Sequence, residues 1–120
     1  MADQSDVRRL ALALPETTED ANGFRFFVAG KQFAWAWMER PDPRRARVAS
    51  RDAIAVSVAG ELEKETLIEM DPRVFFTEPH YDGYPAILVR LREIDEPLLE
   101  KLLRDAWRLR APRRLSAGEP

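Results

Sequence analysis

The chain has 120 residues, 45% of them apolar, a formal net charge of -2 and three tryptophans, which suits one domain around a single core and leaves no room for a second. Cysteine is absent, and this excludes disulfide frameworks, thiolate zinc sites and cysteine nucleophiles. The first residues carry neither a basic nor an apolar leader region, and no apolar run approaches the ~18 residues of a spanning helix, so a soluble, unprocessed cytoplasmic protein with no membrane partner is expected.

Val7, Leu10, Ala11 and Leu14 recur at i, i+3, i+4 and i+7, the stripe of a first helix that Ser5 or Asp6 caps and Pro15 ends. Residues 16–23 are polar and read as a loop. Large apolar side chains alternate in Phe24-Arg25-Phe26-Phe27-Val28 and again in Phe33-Ala34-Trp35-Ala36-Trp37, with Ala29-Gly30-Lys31-Gln32 between, so a hairpin is predicted. In its second strand Phe33, Trp35 and Trp37 form one bulky face and Ala34 and Ala36 the other, as expected where one face meets helices. A charged, proline-broken loop or wing runs from Arg40 to Arg47, and Ile54, Val56 and Val58 mark another strand.

Residues 61–70 predict a second, largely solvated helix with Leu62, Leu67 and Met70 as its apolar set, ended by Asp71-Pro72. Two strands follow, Val74–Thr77 and Ala86–Leu91. The last helix begins at an Asp95 cap with Pro97 in its first turn and carries Leu99, Leu102, Leu103, Ala106, Trp107 and Arg110 on one stripe, with Trp107 in the core and Ala111-Pro112 as its stop. The predicted architecture is α+β: a two-layer sandwich, an antiparallel sheet with helices on one face, as a single domain over 1–115 with a disordered tail at 116–120.

Sixteen of the nineteen basic residues are arginine, and they cluster. Residues 40–51, with Arg44, Arg45, Arg47 and Arg51, sum to +4. Residues 104–114, with Arg108, Arg110, Arg113 and Arg114, also sum to +4. Residues 61–71 sum to -4, which predicts a dipolar surface.

Between the last two predicted strands lies FTEPHYDGYP, Phe76 to Pro85, holding the only histidine and both tyrosines. One histidine and no cysteine are too few for a transition-metal site, and no metal or other cofactor is expected. No Ser-His-Asp order or glycine-rich phosphate cradle is present either, so no catalytic residue is assigned and no enzyme is expected. The motif reads first as a rigid turn, with prolines fixing φ at both ends, Asp82-Gly83 turning the chain and the aromatic rings packed over a sheet edge. Its second reading is a binding rim of Thr77, His80, Tyr81, Asp82 and Tyr84.

Four stretches, LALPETTED (12–20), FVAGKQFA (27–34), DPRVFFTEPHYDGYPAILVRL (71–91) and AWRLRAPRRL (106–115), resemble the MmcQ/YjbR family of small bacterial proteins. The resemblance implies a frataxin-like (CyaY-like) α+β fold. Members are commonly labelled DNA-binding on the strength of fold similarity, and no catalytic residues come with the family.

Two functions are therefore expected. The first is DNA binding through arginine forks on phosphates, from Arg44, Arg45, Arg47 and Arg51 on the wing and Arg108, Arg110, Arg113 and Arg114 at the last helix end. The second is a small ligand or protein partner held by the loop Thr77 to Tyr84 together with Trp35 or Trp37. Convergence of the arginine clusters on one face would favour DNA, and a cavity beside His80 and Tyr84 would favour a ligand. Iron is disfavoured because Asp3 and Asp6 are accompanied by Arg8 and Arg9 rather than forming an acidic ridge.

Overall fold

The computed structural model describes residues 1–20 and 22–116. Helix α1 (Gln4–Leu12) is followed by strands β1 (Thr17–Asp20), β2 (Arg25–Val28), β3 (Lys31–Glu39) and β4 (Val48–Ser57). Helix α2 (Glu61–Met70), strands β5 (Phe75–Phe76) and β6 (Ala86–Arg90), helix α3 (Glu96–Arg110) and a last turn α4 (Arg113–Ser116) complete the order. The six strands form one antiparallel sheet in the order β1-β2-β3-β4-β6-β5. With helices packed on one face, this is the expected α+β two-layer arrangement. The tail expected at 116–120 falls largely on 117–120, outside the described residues; Ser116 closes α4.

Helix α1 starts one turn earlier than its stripe suggested. Asp3 is the N-cap: its side chain accepts from the Asp6 backbone N–H while the Asp6 carboxylate accepts from the Asp3 N–H, a reciprocal box that occupies two otherwise unpaired donors. The polar stretch read as a loop contains β1, pairing Thr17 to Asp20 against Val28 to Arg25. Its partners explain why polar residues lie in a strand there. Glu19 receives two hydrogen bonds from the Arg8 guanidinium at 2.8 Å, and Asp20 pairs with Arg25 across the strands.

The β2–β3 turn is tighter than expected, with only Ala29 and Gly30 between the strands at φ 50° and 78°. Positive φ at both central residues is what a two-residue hairpin matching the strand twist requires, and Gly30 meets it without steric cost.

Beyond the turn, pairing jumps from Phe26 with Ala34 to Phe27 with Gln32. Phe33 is the extra, unpaired residue of a bulge, and a bulge breaks the alternation of faces. Phe33 and Ala34 both enter the core, after which Ala36 continues the helix face while Trp35 and Trp37 turn to the opposite one. The expectation that Phe33 shares one face with Trp35 and Trp37 is thereby corrected. The methyls of Ala34 and Ala36 lie beneath the helices.

The core on the helix side joins Val7 and Ala11 of α1, Leu99, Leu103 and Trp107 of α3, and Phe26, Ile54, Ile87 and Val89 of the sheet. Trp107 is fully buried, and its Nε1 donates to the Pro15 carbonyl at 3.0 Å, tying the end of α3 to the α1–β1 corner. Asp95 caps α3 by accepting from the Leu98 N–H at 2.9 Å. In α2 the expected apolar set is corrected. Leu62 is 71% exposed and Met70 is exposed, while Lys64 is only 2% exposed and Leu67 and Ile68 are the residues packed on the core. None of the described helices is long and apolar enough to cross a membrane.

Candidate functional site

The face of the sheet opposite the helices carries its own small apolar cluster. Trp35 pairs with Ala55, Ala55 with Leu88 and Leu88 with Phe76, so one cross-strand row runs from β3 to β5 on that face. Side chains at matched positions share a face because the strand period is two. Ala55 and Ala86 are small, and the ring of Tyr81 joins them and Leu88 in the cluster, with Trp35, Trp37 and Phe76 around it. Trp37 meets Phe76 edge to face at 5.3 Å and 80°, and the Arg90 guanidinium lies 4.2 Å from the Phe76 ring centroid.

Tyr81 comes from the FTEPHYDGYP segment, which is a folded lid over this face. Pro79 opens a single 3-10 turn, Pro79–Tyr81, and Gly83 takes φ 76° to reverse the chain. The turn reading of the motif is correct in kind. Of its two tyrosines, Tyr81 is buried at 8% exposure, whereas Tyr84 is 48% exposed.

Helix α2 clamps the segment from beside it. The buried Lys64 Nζ donates to the carbonyls of Tyr81 at 2.8 Å and Tyr84 at 3.1 Å and lies 3.5 Å from the Glu61 carboxylate, which in turn accepts from the Gly83 N–H at 3.1 Å. A buried ammonium needs such a full set of oxygens to offset its lost hydration. Neither Lys64 nor Glu61 was picked out from the sequence, where both belong to an acidic, outwardly solvated run.

Gln32, Trp35, His80, Tyr81 and Tyr84 line a cleft of about 250 Å³ between β3 and the lid. The Trp35 Nε1 donates to the Tyr81 hydroxyl at 3.1 Å. Burial raises the Tyr81 pKa above the ordinary tyrosine value; the Trp35 bond opposes the shift and the nearby Glu78 charge adds to it. Two polar atoms close to the cluster, Trp37 Nε1 and Glu78 Oε1, are buried and find no hydrogen-bond partner among the described residues. Of the five rim residues expected, His80, Tyr81 and Tyr84 line the cleft. Thr77 and Asp82 are exposed outside it.

The arginines do not come together. The wing follows Glu39 at the far end of β3, whereas Arg114 binds Glu16 at 2.8 and 3.2 Å, beside the start of β1 and the β2–β3 turn. The nine residues of β3 separate the two ends by roughly 30 Å at about 3.3 Å per residue. Within the wing, Arg44 and Arg45 lie 3.3 and 3.7 Å from the Asp42 carboxylate, and Arg47 donates to the Met38 carbonyl at 2.9 Å. Arg51 borders a hollow shared with Asp3, Asp6 and Asp52. At the other end Arg108 and Arg113 are exposed and Arg110 is half-buried.

The sequence profile of the YjbR family matches residues 12–109. The chain belongs to the YjbR family. Among its relatives are uncharacterised proteins of Mycobacterium tuberculosis and Mycobacterium bovis, each 42% identical over 122 residues, covering 96% of this chain and 93% of theirs. The crystal structure of a Deinococcus radiodurans protein, a DUF419 domain, is similar in fold: TM-score 0.65 at 20% identity, over 91% of this chain and 78% of that one. The YjbR match takes in every residue of the aromatic cleft and its Lys64 clamp, and it ends before Arg110, Arg113 and Arg114.

This YjbR domain has a second, larger hollow of about 430 Å³ between α2 and α3, walled by Val58, Leu62, Leu67, Leu102 and Leu109. Leu62 was expected in the apolar set of α2 but lies exposed at this hollow, and Leu109 lies off the apolar stripe expected for α3. Its polar groups, Glu63, Thr66, Asp105 and Arg108 among them, belong to two solvated helix surfaces. The aromatic cleft instead gathers hydrogen-bonding side chains around ring walls.

Proposed function

We propose that this YjbR chain is a small ligand-binding domain whose site is the aromatic cleft on the sheet face that the helices leave open. The observation that carries this reading is the convergence of Gln32, Trp35, His80, Tyr81 and Tyr84 around one cleft of about 250 Å³. It is supported by the Lys64 clamp, which fixes the lid before any ligand arrives and so lowers the ordering cost of binding. The reading includes no catalytic role, because no nucleophile and base are paired in the cleft.

DNA binding is the second reading, and the exposed wing arginines Arg44 and Arg45 are what favour it. The separation of the two clusters along β3 and the pairing of Arg114 with Glu16 weigh against a shared phosphate track.

One thermal-shift and fluorescence experiment separates the two. The parent, Tyr84→Ala and the triple variant of Arg44, Arg45 and Arg47 to Glu are each titrated with a small-fragment library and with duplex DNA at about 50 and 200 mM salt. Fragment binding lost in Tyr84→Ala and kept in the triple variant is the expected result. Salt-sensitive DNA binding lost only in the triple variant, with no fragment bound, would transfer the function to the wing.

A further inference from the structure

The walls of the aromatic cleft stand nearly at right angles to one another. Trp35 and Tyr84 meet at 88° with centroids 6.2 Å apart, Tyr81 and Tyr84 at 83° and 6.0 Å, and His80 and Tyr81 at 70° and 5.8 Å. A flat heterocycle gains most between two parallel rings, and none of these pairs is parallel. A compact, rounded group touches several perpendicular walls at once. Ring faces are electrostatically negative, so the rounded group that gains most from such walls is a cation with a diffuse charge and an apolar surface.

The charges around the cleft point the same way. The Glu78 Oε1, behind the cleft wall rather than in its lining, is buried without a hydrogen-bond partner among the described residues, its charge reaches Tyr81, and an unpaired buried carboxylate oxygen is stabilised by a cation. The Glu61 carboxylate sits against the Gly83 N–H at the base of the lid, 3.1 Å away. Of the nearby cations, the Lys64 ammonium is held by the Tyr81 and Tyr84 carbonyls and paired with Glu61, while Arg47 donates to the Met38 carbonyl and its charge still reaches Tyr81. Gln32 adds an amide at the rim, able to accept from a hydroxyl or amide carried by the ligand.

We infer that the cleft binds an organic cation, a methylated or quaternary ammonium head group, with Trp35, Tyr81 and Tyr84 as its cation–π walls and Glu78 as its counter-charge. This rests on the ligand-binding reading and adds the chemical class to it. A quaternary head group has no N–H that must be satisfied, so ring faces alone can hold it. A lysine-like ammonium, more strongly hydrated, would lose more water than these walls replace.

The test uses the indole N–H signals of the folded chain in a proton–nitrogen correlation spectrum. The probes are tetramethylammonium, choline, the neutral isostere of choline 3,3-dimethylbutan-1-ol, and flat, uncharged nicotinamide. Choline and tetramethylammonium are expected to move the Trp35 signal saturably and leave Trp107 unmoved, with the neutral isostere binding about fivefold more weakly or less. Tyr84→Phe, which keeps the ring, should stay within about twofold of the parent, and Tyr84→Leu should weaken choline about fivefold. Glu78→Gln should weaken both cations and leave the neutral isostere unaltered.

If the isostere or nicotinamide binds as tightly as choline at Trp35, the cation is wrong and the cleft stands as a site for neutral ligands. If none of the four probes moves Trp35, the cation proposal falls. If the fragment library is silent there as well, the ligand-binding reading falls with it.

Discussion

Lys64 is the residue whose loss should tell most about the lid. Its ammonium serves the Tyr81 and Tyr84 carbonyls from a position almost without solvent, so replacing it removes two charge-assisted bonds, while each carbonyl keeps one backbone donor, the Tyr84 N–H for Tyr81 and the Ala86 N–H for Tyr84. At about 1.5–3 kcal/mol for each hydrogen bond from a charged donor, partly offset by the desolvation the lysine no longer suffers, Lys64→Met should destabilise the fold by about 2–4 kcal/mol. Denaturant unfolding would measure this, and amide exchange should rise between Thr77 and Pro85; a variant as stable as the parent would show that the lid holds itself. Tyr81 offers a second check with a defined sign. Because burial raises its folded-state pKa, its contribution is intact below the unfolded value of about 10 and is lost as pH climbs through the higher folded value. The parent should therefore lose stability in that alkaline range, and Tyr81→Phe should lose less there while giving up about 1 kcal/mol at neutral pH for the Trp35 hydrogen bond. These two residues were unequally legible. The aromatic loop stood out by composition, whereas a lysine between glutamates in Glu63-Lys64-Glu65 has every local mark of a solvated side chain, and only the lid packed against α2 makes it a buried one.

Helices α2 and α3 were legible to within a residue or so at their ends because their breakers and, in α3, the cap are local: Gly60 and Asp71-Pro72 bound α2, while Asp95 and Ala111-Pro112 bound α3. Strand β1 was not, since Thr17 to Asp20 has no apolar alternation of its own and is held by partners outside it, Arg8 on α1 and the β2 backbone. The same corner joins the chain's two ends through Arg114 and Glu16, whose carboxyl is held below its ordinary value by hydrogen bonds from that guanidinium. A depressed carboxyl contributes stability above its unfolded value of 4.5 that is lost as pH falls through the folded value. In Arg114→Gln the Glu16 carboxyl should titrate at the ordinary value, as a carboxyl-carbon NMR titration would read. An unchanged titration would mean that α4 does not dock on the β1 corner in solution.

At the scale of the whole molecule, the α+β class and the count of layers followed from the alternation of strand and helix patterns, but the identity of the open face did not. One unpaired residue, Phe33, decides it: the bulge inverts the parity of β3 and sends Trp35 and Trp37 away from the helices, where they become walls instead of core. The arginine clusters were equally misleading in sequence, because proximity in charge says nothing of the strand length between them. We propose that binding takes place on the open sheet face and not on the wing. A residue-by-residue map of backbone and indole shift changes, recorded with bound fragments and again with duplex DNA, tests it most directly. Changes centred on Gln32, Trp35, His80, Tyr81 and Tyr84 with fragments, and only weak, salt-erased changes with DNA, are predicted. Saturable changes confined to Arg44, Arg45, Arg47 and Arg51, with the cleft silent, would contradict it.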